Sequence, residues 1–337
     1  ALQLSNIQRS KPHTVAILSS VLKPSNAHTA HPGLSVIEDL KRQYDVSVLP
    51  YFAESLDEQY DVLIVFDAPI IRQGMIRAID KHIQEGRSAI LMLDPFQRMN
   101  EANAKLELGL SGEGEINSIT DLLNFYGIDF SHNGVVGDFE NAANVETGTG
   151  RNFAYPYWLR IREKNMTKEE PVVATLNELL FAETGVFSME ARPGFLKPIV
   201  FTGEQISIET RAVFDKKSTE ELSLDFESRL QAPKIIVGRV SQNLPSPFLG
   251  INGGNTKTLA SLMLVGDTDW LYDGFSRAGI GSTAATLSRP INDNNNLFLN
   301  LVEFSAGSDD LLEIRSRKSP VRVFSKVEEM LFNSREK

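Results

Sequence analysis

Residues 60–95 read YDVLIVFDAPIIRQGMIRAIDKHIQEGRSAILMLDP, and this stretch decides the fold class. Val62–Phe66 is a short apolar run of β-forming residues. Ile76, Ile79 and Ile83 then recur at helical spacing, and Gly86 stops the pattern. Ser88–Leu93 is a second apolar run, closed by Asp94-Pro95. Strands alternating with helices imply an α/β fold with a mostly parallel, Rossmann-like sheet covered on both faces.

The pattern extends both ways. Upstream, Thr14–Ser20 reads as a strand, Leu34, Ile37 and Leu40 as a helix stripe, and Val46–Leu49 as a strand. Downstream, residues 100–150 are looser. They hold the Gly-rich stretch LGLSGEGE, a helix marked by Ile119, Leu122, Leu123 and Tyr126, and the polar stretch ENAANVETGTG, read as a loop. A β-rich section of about residues 151–240 follows, with strands at Tyr157–Ile161, Pro198–Thr202, Ile206–Thr210 and Lys234–Val240. Leu259–Val265 is a buried strand ending in Gly266-Asp267. Asn292–Asn296 reads as a solvated turn and cap for a helix over Leu297–Phe304. Residues 10–310 form one domain, and 311–337 a basic connector carrying Arg315, Arg317, Lys318 and Arg322.

The 337 residues are 42% hydrophobic and 23% charged, proportions that support a large core. A net charge of −10 argues against nucleic acid as a partner. With no cysteine, a disulfide framework, Cys-ligated zinc, an iron–sulfur cluster and a thiol nucleophile are all excluded. No apolar run approaches the roughly 20 residues of a membrane helix. Any membrane tether is therefore expected outside this segment.

Catalytic motifs are absent. A serine nucleophile on a strand–helix elbow would want G-x-S-x-G, which does not occur. The glycine-rich stretches lack the Lys-Ser/Thr of a phosphate-binding loop. No catalytic residue, metal or cofactor is assigned. Ligand-binding candidates are drawn from loops at strand C-terminal ends, where open α/β sheets hold ligands. They are His28 and His31 in the HTAH stretch, Arg98, and the carboxylates Asp267, Asp269 and Asp273. The last three offer oxygen ligands, but their spacing is not that of an EF-hand. Asp267 and Asp269 read better as acceptors for backbone N–H groups at a turn or helix start. Tyr155, Tyr157 and Trp158 offer rings for a glycan, yet aromatic residues in strands more often pack.

The order of motifs in the C-terminal third carries a resemblance. Gly266-Asp267-Thr268-Asp269-Trp270-Leu271-Tyr272-Asp273 is followed by Asn292–Asn296 and Leu297-Phe298-Leu299-Asn300, then by Ala306-Gly307-Ser308-Asp309-Asp310-Leu311-Leu312, Ile314-Arg315-Ser316-Arg317 and Arg322-Val323-Phe324. This resembles the gliding-motility-type auxiliary component of ABC transporters. The resemblance implies a domain similar to class I glutamine amidotransferases without their catalysis. It implies a place at the periplasmic face of a bacterial inner membrane, flanked by membrane helices. It also implies an ABC permease and ATPase as partners, and Arg315, Arg317, Lys318 and Arg322 are the expected partner contacts. A carbohydrate- or peptide-binding module and a cryptic amidotransferase-like hydrolase are the alternatives.

Overall fold

The computed structural model describes residues 12–22, 33–56, 58–66, 68, 70–99, 116–146, 150–189, 194–248, 261–280 and 287–307. The first part of the chain forms β1 (Thr14–Ser19), α1 (Ser35–Lys41), β2 (Asp45–Pro50), β3 (Val62–Phe66), α2 (Gln73–Gln84), β4 (Ser88–Met92), α3 (Ile119–Phe125) and β5 (Asp129–Phe130). The middle adds β6 (Gly134–Asp138), β7 (Ala142–Glu146), β8 (Asn152–Arg162), β9 (Glu178–Ala182), β10 (Phe187–Ser188), β11 (Leu196–Phe201) and β12 (Gln205–Thr210). It continues through α4 (Arg211–Phe214), α5 (Thr219–Leu224), β13 (Arg229–Leu230) and β14 (Ile235–Val240). Last come β15 (Leu262–Val265), α6 (Asp273–Ser276), the antiparallel pair β16 (Arg277–Ile280) and β17 (Leu287–Pro290), and α7 (Asn294–Ser305).

A nine-stranded sheet in the order β2-β1-β3-β4-β15-β14-β10-β5, with β11 also on β14, organises the molecule. From β2 to β15 all neighbours are parallel. From β15 onward every pairing is antiparallel. The expectation of a mostly parallel sheet is therefore corrected: only half of it is parallel. Parallel neighbours need long crossovers, which α1 and α2 supply between the early strands. The β-rich middle returns its strands without such helices.

Strand alternation explains why the central parallel strands are almost wholly apolar. Val15 and Ile17 join one core layer with Ile37 and Leu40 of α1 and Phe298 and Leu301 of α7. Ala16 and Leu18 point the other way, into a layer with Ile76, Ile79 and Ile83 of α2 and Leu122 and Leu123 of α3. α2 also buries Asp80, whose carboxylate accepts from the Tyr126 hydroxyl at 2.7 Å and the Ser246 hydroxyl at 2.6 Å.

Two smaller sheets, β13-β12-β6 and β7-β8-β9, make up the rest of the middle. The ENAANVETGTG stretch is corrected here. Its residues Ala142–Glu146 are strand β7, paired with β8. Polar residues alternate along it because one face stays outside the core. The asparagine run also differs from a solvated turn. Asn294 is fully buried; its amide accepts from Leu180 N–H and donates to the carbonyls of Leu180 and Trp270. Within the Gly-rich stretches, residues 109–114 and 250–254 lie outside the described residues.

Candidate functional site

β4 and β15 are parallel neighbours with Met92 opposite Val265, so the segments that leave them emerge side by side. Two residues beyond each strand stands an aspartate, Asp94 and Asp267, and Asp269 follows in the turn of 3₁₀ helix Asp269–Leu271. One carboxylate oxygen from each of the three lies within 4.8 Å of the others, and all three side chains are buried. Gly266 makes the convergence sterically possible: a Cβ there would stand 2.3 Å from the Gly185 carbonyl oxygen.

These carboxylates are acceptors for backbone. Asp94 accepts from Phe96 N–H at 2.8 Å, and from Thr268 N–H and hydroxyl at 2.9 and 2.8 Å. Asp267 accepts from Ala182 N–H at 2.6 Å and Trp270 N–H at 3.2 Å. Asp269 accepts from Arg98 N–H at 2.6 Å and Met99 N–H at 3.0 Å. Together they sew three loops to one another. Burial raises the Asp267 carboxyl well above its ordinary range, and the charges of Asp94 and Asp269 add to that rise. Burial first, then Asp94, pushes Asp269 up to about 9, against the backbone N–H groups of Met99 and Arg98. Burial and crowding together favour a proton on the cluster at neutral pH, shared among its carboxyls. The group Asp94, Asp267 and Asp269 has a donor set suited to a hard cation, but its oxygens are already engaged by amides.

Beside the cluster, Arg98 pairs with Glu183. Its Nε donates to both Glu183 oxygens at 3.1 Å, and its Nη2 donates to Oε1. The Glu183 side chain is wholly buried while that of Arg98 is 35% exposed. Tyr155 hydroxyl and Trp158 Nε1 complete the carboxylate shell, each at 3.0 Å. Glu183 is the one non-glycine residue at positive φ among the described residues, at 48°. Such backbone persists only where surroundings over-determine it. The Arg98 guanidinium lies 5.7 Å from the Phe96 ring and 6.0 Å from Trp158.

Of the residues singled out from sequence, Arg98, Asp267 and Asp269 meet here. Asp273 does not join them. It accepts from the Ser35 hydroxyl at 2.6 Å and from Ser35 N–H at 3.2 Å, capping α1 from afar. His28, His31, Arg315, Arg317, Lys318 and Arg322 lie outside the described residues. Tyr155 and Tyr157 are 0% and 3% exposed, which corrects the idea of a glycan groove lined by their rings. Glu183 was missed. It follows the apolar strand β9 as Asp267 follows β15, and a lone charged residue at a strand end is the only signal available for it.

A family model described as an ABC-type uncharacterized transport system matches residues 12–301. The chain thus belongs to the family of auxiliary components of ABC transport systems. No curated protein matches it. Among solved structures, it is similar to a cytoplasmic protein from Salmonella typhimurium at 12% identity and TM-score 0.37, over 87% of this chain and 98% of that one. It is similar to a putative ThuA-like protein from Bacteroides uniformis at 11% identity and TM-score 0.38, over 88% and 93%. A β-galactosidase from Rahnella sp. R3 is similar at 13% identity and TM-score 0.38, over 88% of this chain and 31% of that one. At these scores the likenesses fix neither fold family nor function. Among the described residues no helix is long and apolar enough to cross a membrane.

Proposed function

We propose that this chain is a non-catalytic, extracytoplasmic docking domain of a membrane-tethered ABC transport system of the gliding-motility type. Its place is the periplasmic face of a bacterial inner membrane, its tether lies outside this segment, and its partners are the permease and ATPase. Its fold is a departed relative of the class I amidotransferase architecture. The single observation that carries the reading is the fate of the strand-end carboxylates. A hydrolase presents such groups to substrate, next to a nucleophile and a base. Here Asp94, Asp267 and Asp269 are buried and turned onto backbone N–H groups. The loops are thereby pinned to one another, which suits a docking surface.

The same end of the parallel strands carries large exposed apolar side chains: Tyr51 and Phe52 just beyond β2, Ile70 beyond β3 and Met99 beyond β4. Exposed aromatic and aliphatic groups beyond the ends of several parallel strands suit a protein partner. The basic stretch with Arg315, Arg317, Lys318 and Arg322 supplies the membrane-proximal contact, since clustered arginine pairs well with carboxylates.

The test is co-purification of the intact gene product with its permease. Tyr51→Ser, Phe52→Ser and Ile70→Ser together are expected to weaken it, as is reversal of Arg315, Arg317 and Arg322 to Glu, with circular dichroism unchanged. Retention of the complex by both variants, or release of the intact protein from membranes without detergent, overturns the reading.

A further inference from the structure

On the flank formed by the sheet β13-β12-β6 lies an open cleft of about 410 Å³, lined by Tyr157, Ser207, Glu209, Asp225, Glu227 and Arg229 among others. Its construction begins with strand alternation. Ser207 and Glu209 stand two apart on β12 and share a face. Opposite them on β6 are Gly137 and Val135. A Cβ at Gly137 would lie 2.5 Å from Phe226 and 2.8 Å from Tyr157, so glycine there is what admits both rings.

The Tyr157 ring meets Tyr155, Phe214 and Phe226 edge-on, with centroids 5.6, 4.9 and 5.6 Å away. Those rings and Gly137 enclose its body, leaving the residue 3% exposed. Tyr157 nevertheless lines the cleft, so its hydroxyl end is the part that reaches it. That hydroxyl has no hydrogen-bond partner among the described residues. Beside it, Glu209 receives the Thr210 N–H and hydroxyl on Oε1 at 2.8 and 3.4 Å, which leaves Oε2 for the cleft. Burial first, and then the Glu209 charge, pushes the Tyr157 phenol up to about 12.

At the rim the charges are mixed and exposed. Asp225 pairs with Lys217 at 2.7 Å, while Glu227 and Arg229 stand in solvent, where salt screens them. The cleft thus offers the Glu209 carboxylate, a phenol oxygen and the Ser207 hydroxyl, and its lining acids Glu209, Asp225 and Glu227 outnumber the cations Arg229 and Lys217, the latter already paired with Asp225. A sugar finds no free ring face, because neighbouring rings surround Tyr157. An anion meets Glu209.

We propose that this cleft is a site for a guanidinium or alkylammonium group, held by Glu209 and the Tyr157 hydroxyl. The site is separate from the docking surface above. Its cation comes either from a free small molecule or from a basic peptide segment. Residues 314–323, with Arg315, Arg317, Lys318 and Arg322, have the composition of such a segment.

The experiment follows isoleucine methyl resonances of the whole chain. Ile208 lines the cleft and Ile291, 47% exposed, does not. The probes are agmatine and a blocked peptide copying residues 314–323, with sodium chloride at matched ionic strength as control. A saturable shift of Ile208 without one of Ile291 is expected. Glu209→Gln should weaken binding about tenfold or more, and Tyr157→Phe, which keeps the packed ring, about fivefold, in line with losing a charged and a neutral hydrogen bond. Peptide binding about tenfold tighter than agmatine supports a peptide source, and equal affinities support a free cation. No saturable shift with either probe, or undiminished binding by both variants, overturns the site.

Discussion

The parallel and antiparallel halves of this molecule admit buried charge in different ways. From β1 to β15 the strands are almost wholly apolar, and buried carboxylates sit off them: Asp94, Asp267 and Asp269 beyond the strand ends, Asp80 on α2 and Glu303 on α7. The three strand-end acids bond to backbone, and burial favours the protonated form within the Asp267–Asp269 pair over a counter-ion. In the antiparallel half two buried acids meet arginines, while Asp138 at the end of β6 accepts from the N–H groups of Glu140, Asn141 and Gly203. Glu183 holds Arg98, and Glu170 holds Arg239 of β14 at 2.8 Å, both mostly buried. The lesson is one of geometry. The apolar parallel strands leave no lane for a long cationic side chain, whereas Arg98 in the loop after β4 and Arg239 towards the end of β14 reach an acid while their heads keep partial access to water.

The sharpest way to break this comparison is to remove one acid from each half. Glu183→Ala strands Arg98 together with the hydrogen bonds of Tyr155 and Trp158. Breaking a buried pair costs about 3–5 kcal/mol, and partial exposure of Arg98 places this one near the lower end, at about 3. Asp269→Asn should cost less at pH 7, because burial already favours the neutral form of the carboxyl it replaces and the amide oxygen still accepts from one of the two N–H donors. Urea midpoints at constant slope measure both. A larger loss for Asp269→Asn would mean that the two halves do not differ in how they neutralise charge.

Legibility in the sequence follows the same division. Wholly apolar runs such as Val62–Phe66 and Ser88–Leu93 announce strands covered on both faces, and the isoleucine stripe of α2 announces its helix. β7 has the look of a loop in sequence because its buried face is narrow and its other residues are mostly polar. The antiparallel continuation past β15 left no local mark, since strand direction depends on connection rather than on composition. Asp267 and Asp269 were legible as turn acceptors because they follow an apolar run. Their union with Asp94 was not, nor was the pairing of Glu183 with Arg98, because those partners are far apart in the chain and only the fold brings them together.

A smaller effect sharpens the contrast through pH. The Asp269 carboxyl is raised in the folded protein, so the folded state binds more protons than the unfolded one between the ordinary carboxylate range and about 9. Its stabilising contribution is complete below the unfolded value and is lost as pH rises through the folded one. Stability should therefore fall from pH 7 to 9, by at most about 1.4 kcal/mol per pH unit for one such group. His82 acts with the opposite sign, since burial lowers its pKa, but that contribution is complete above its ordinary value. Tyr157, raised to about 12, enters only at higher pH. Melting temperatures from pH 7 to 9 should decline for the native chain and decline less for Asp269→Asn. Parallel declines would assign the slope to other groups.

The smallest effect concerns how each half starts a helix. α1 has Leu34 at its N-cap and no local side-chain cap. Asp273 supplies the missing acceptor, taking the Ser35 hydroxyl and N–H while its own N–H donates to the Gly33 carbonyl at 2.7 Å. In the middle, α5 is capped locally: Ser218 accepts from Glu221 N–H at 3.3 Å, and Glu221 accepts from Ser218 N–H at 2.8 Å. A cap contributed across the fold is lost only when the domain opens, so removing it weakens the global state. A local cap belongs to its own helix. Asp273→Ala should thus lower global stability by about 1 kcal/mol, with Asp273→Asn recovering much of it through the retained carbonyl acceptor. Ser218→Ala should leave the global transition nearly in place and speed amide exchange within α5 alone, as expected for a surface element that opens by itself. Hydrogen exchange read residue by residue separates the two. If Asp273→Ala accelerates only α1 while the core amides keep their protection, the parallel half is no more cooperative than the middle, and the distinction between tertiary and local capping falls.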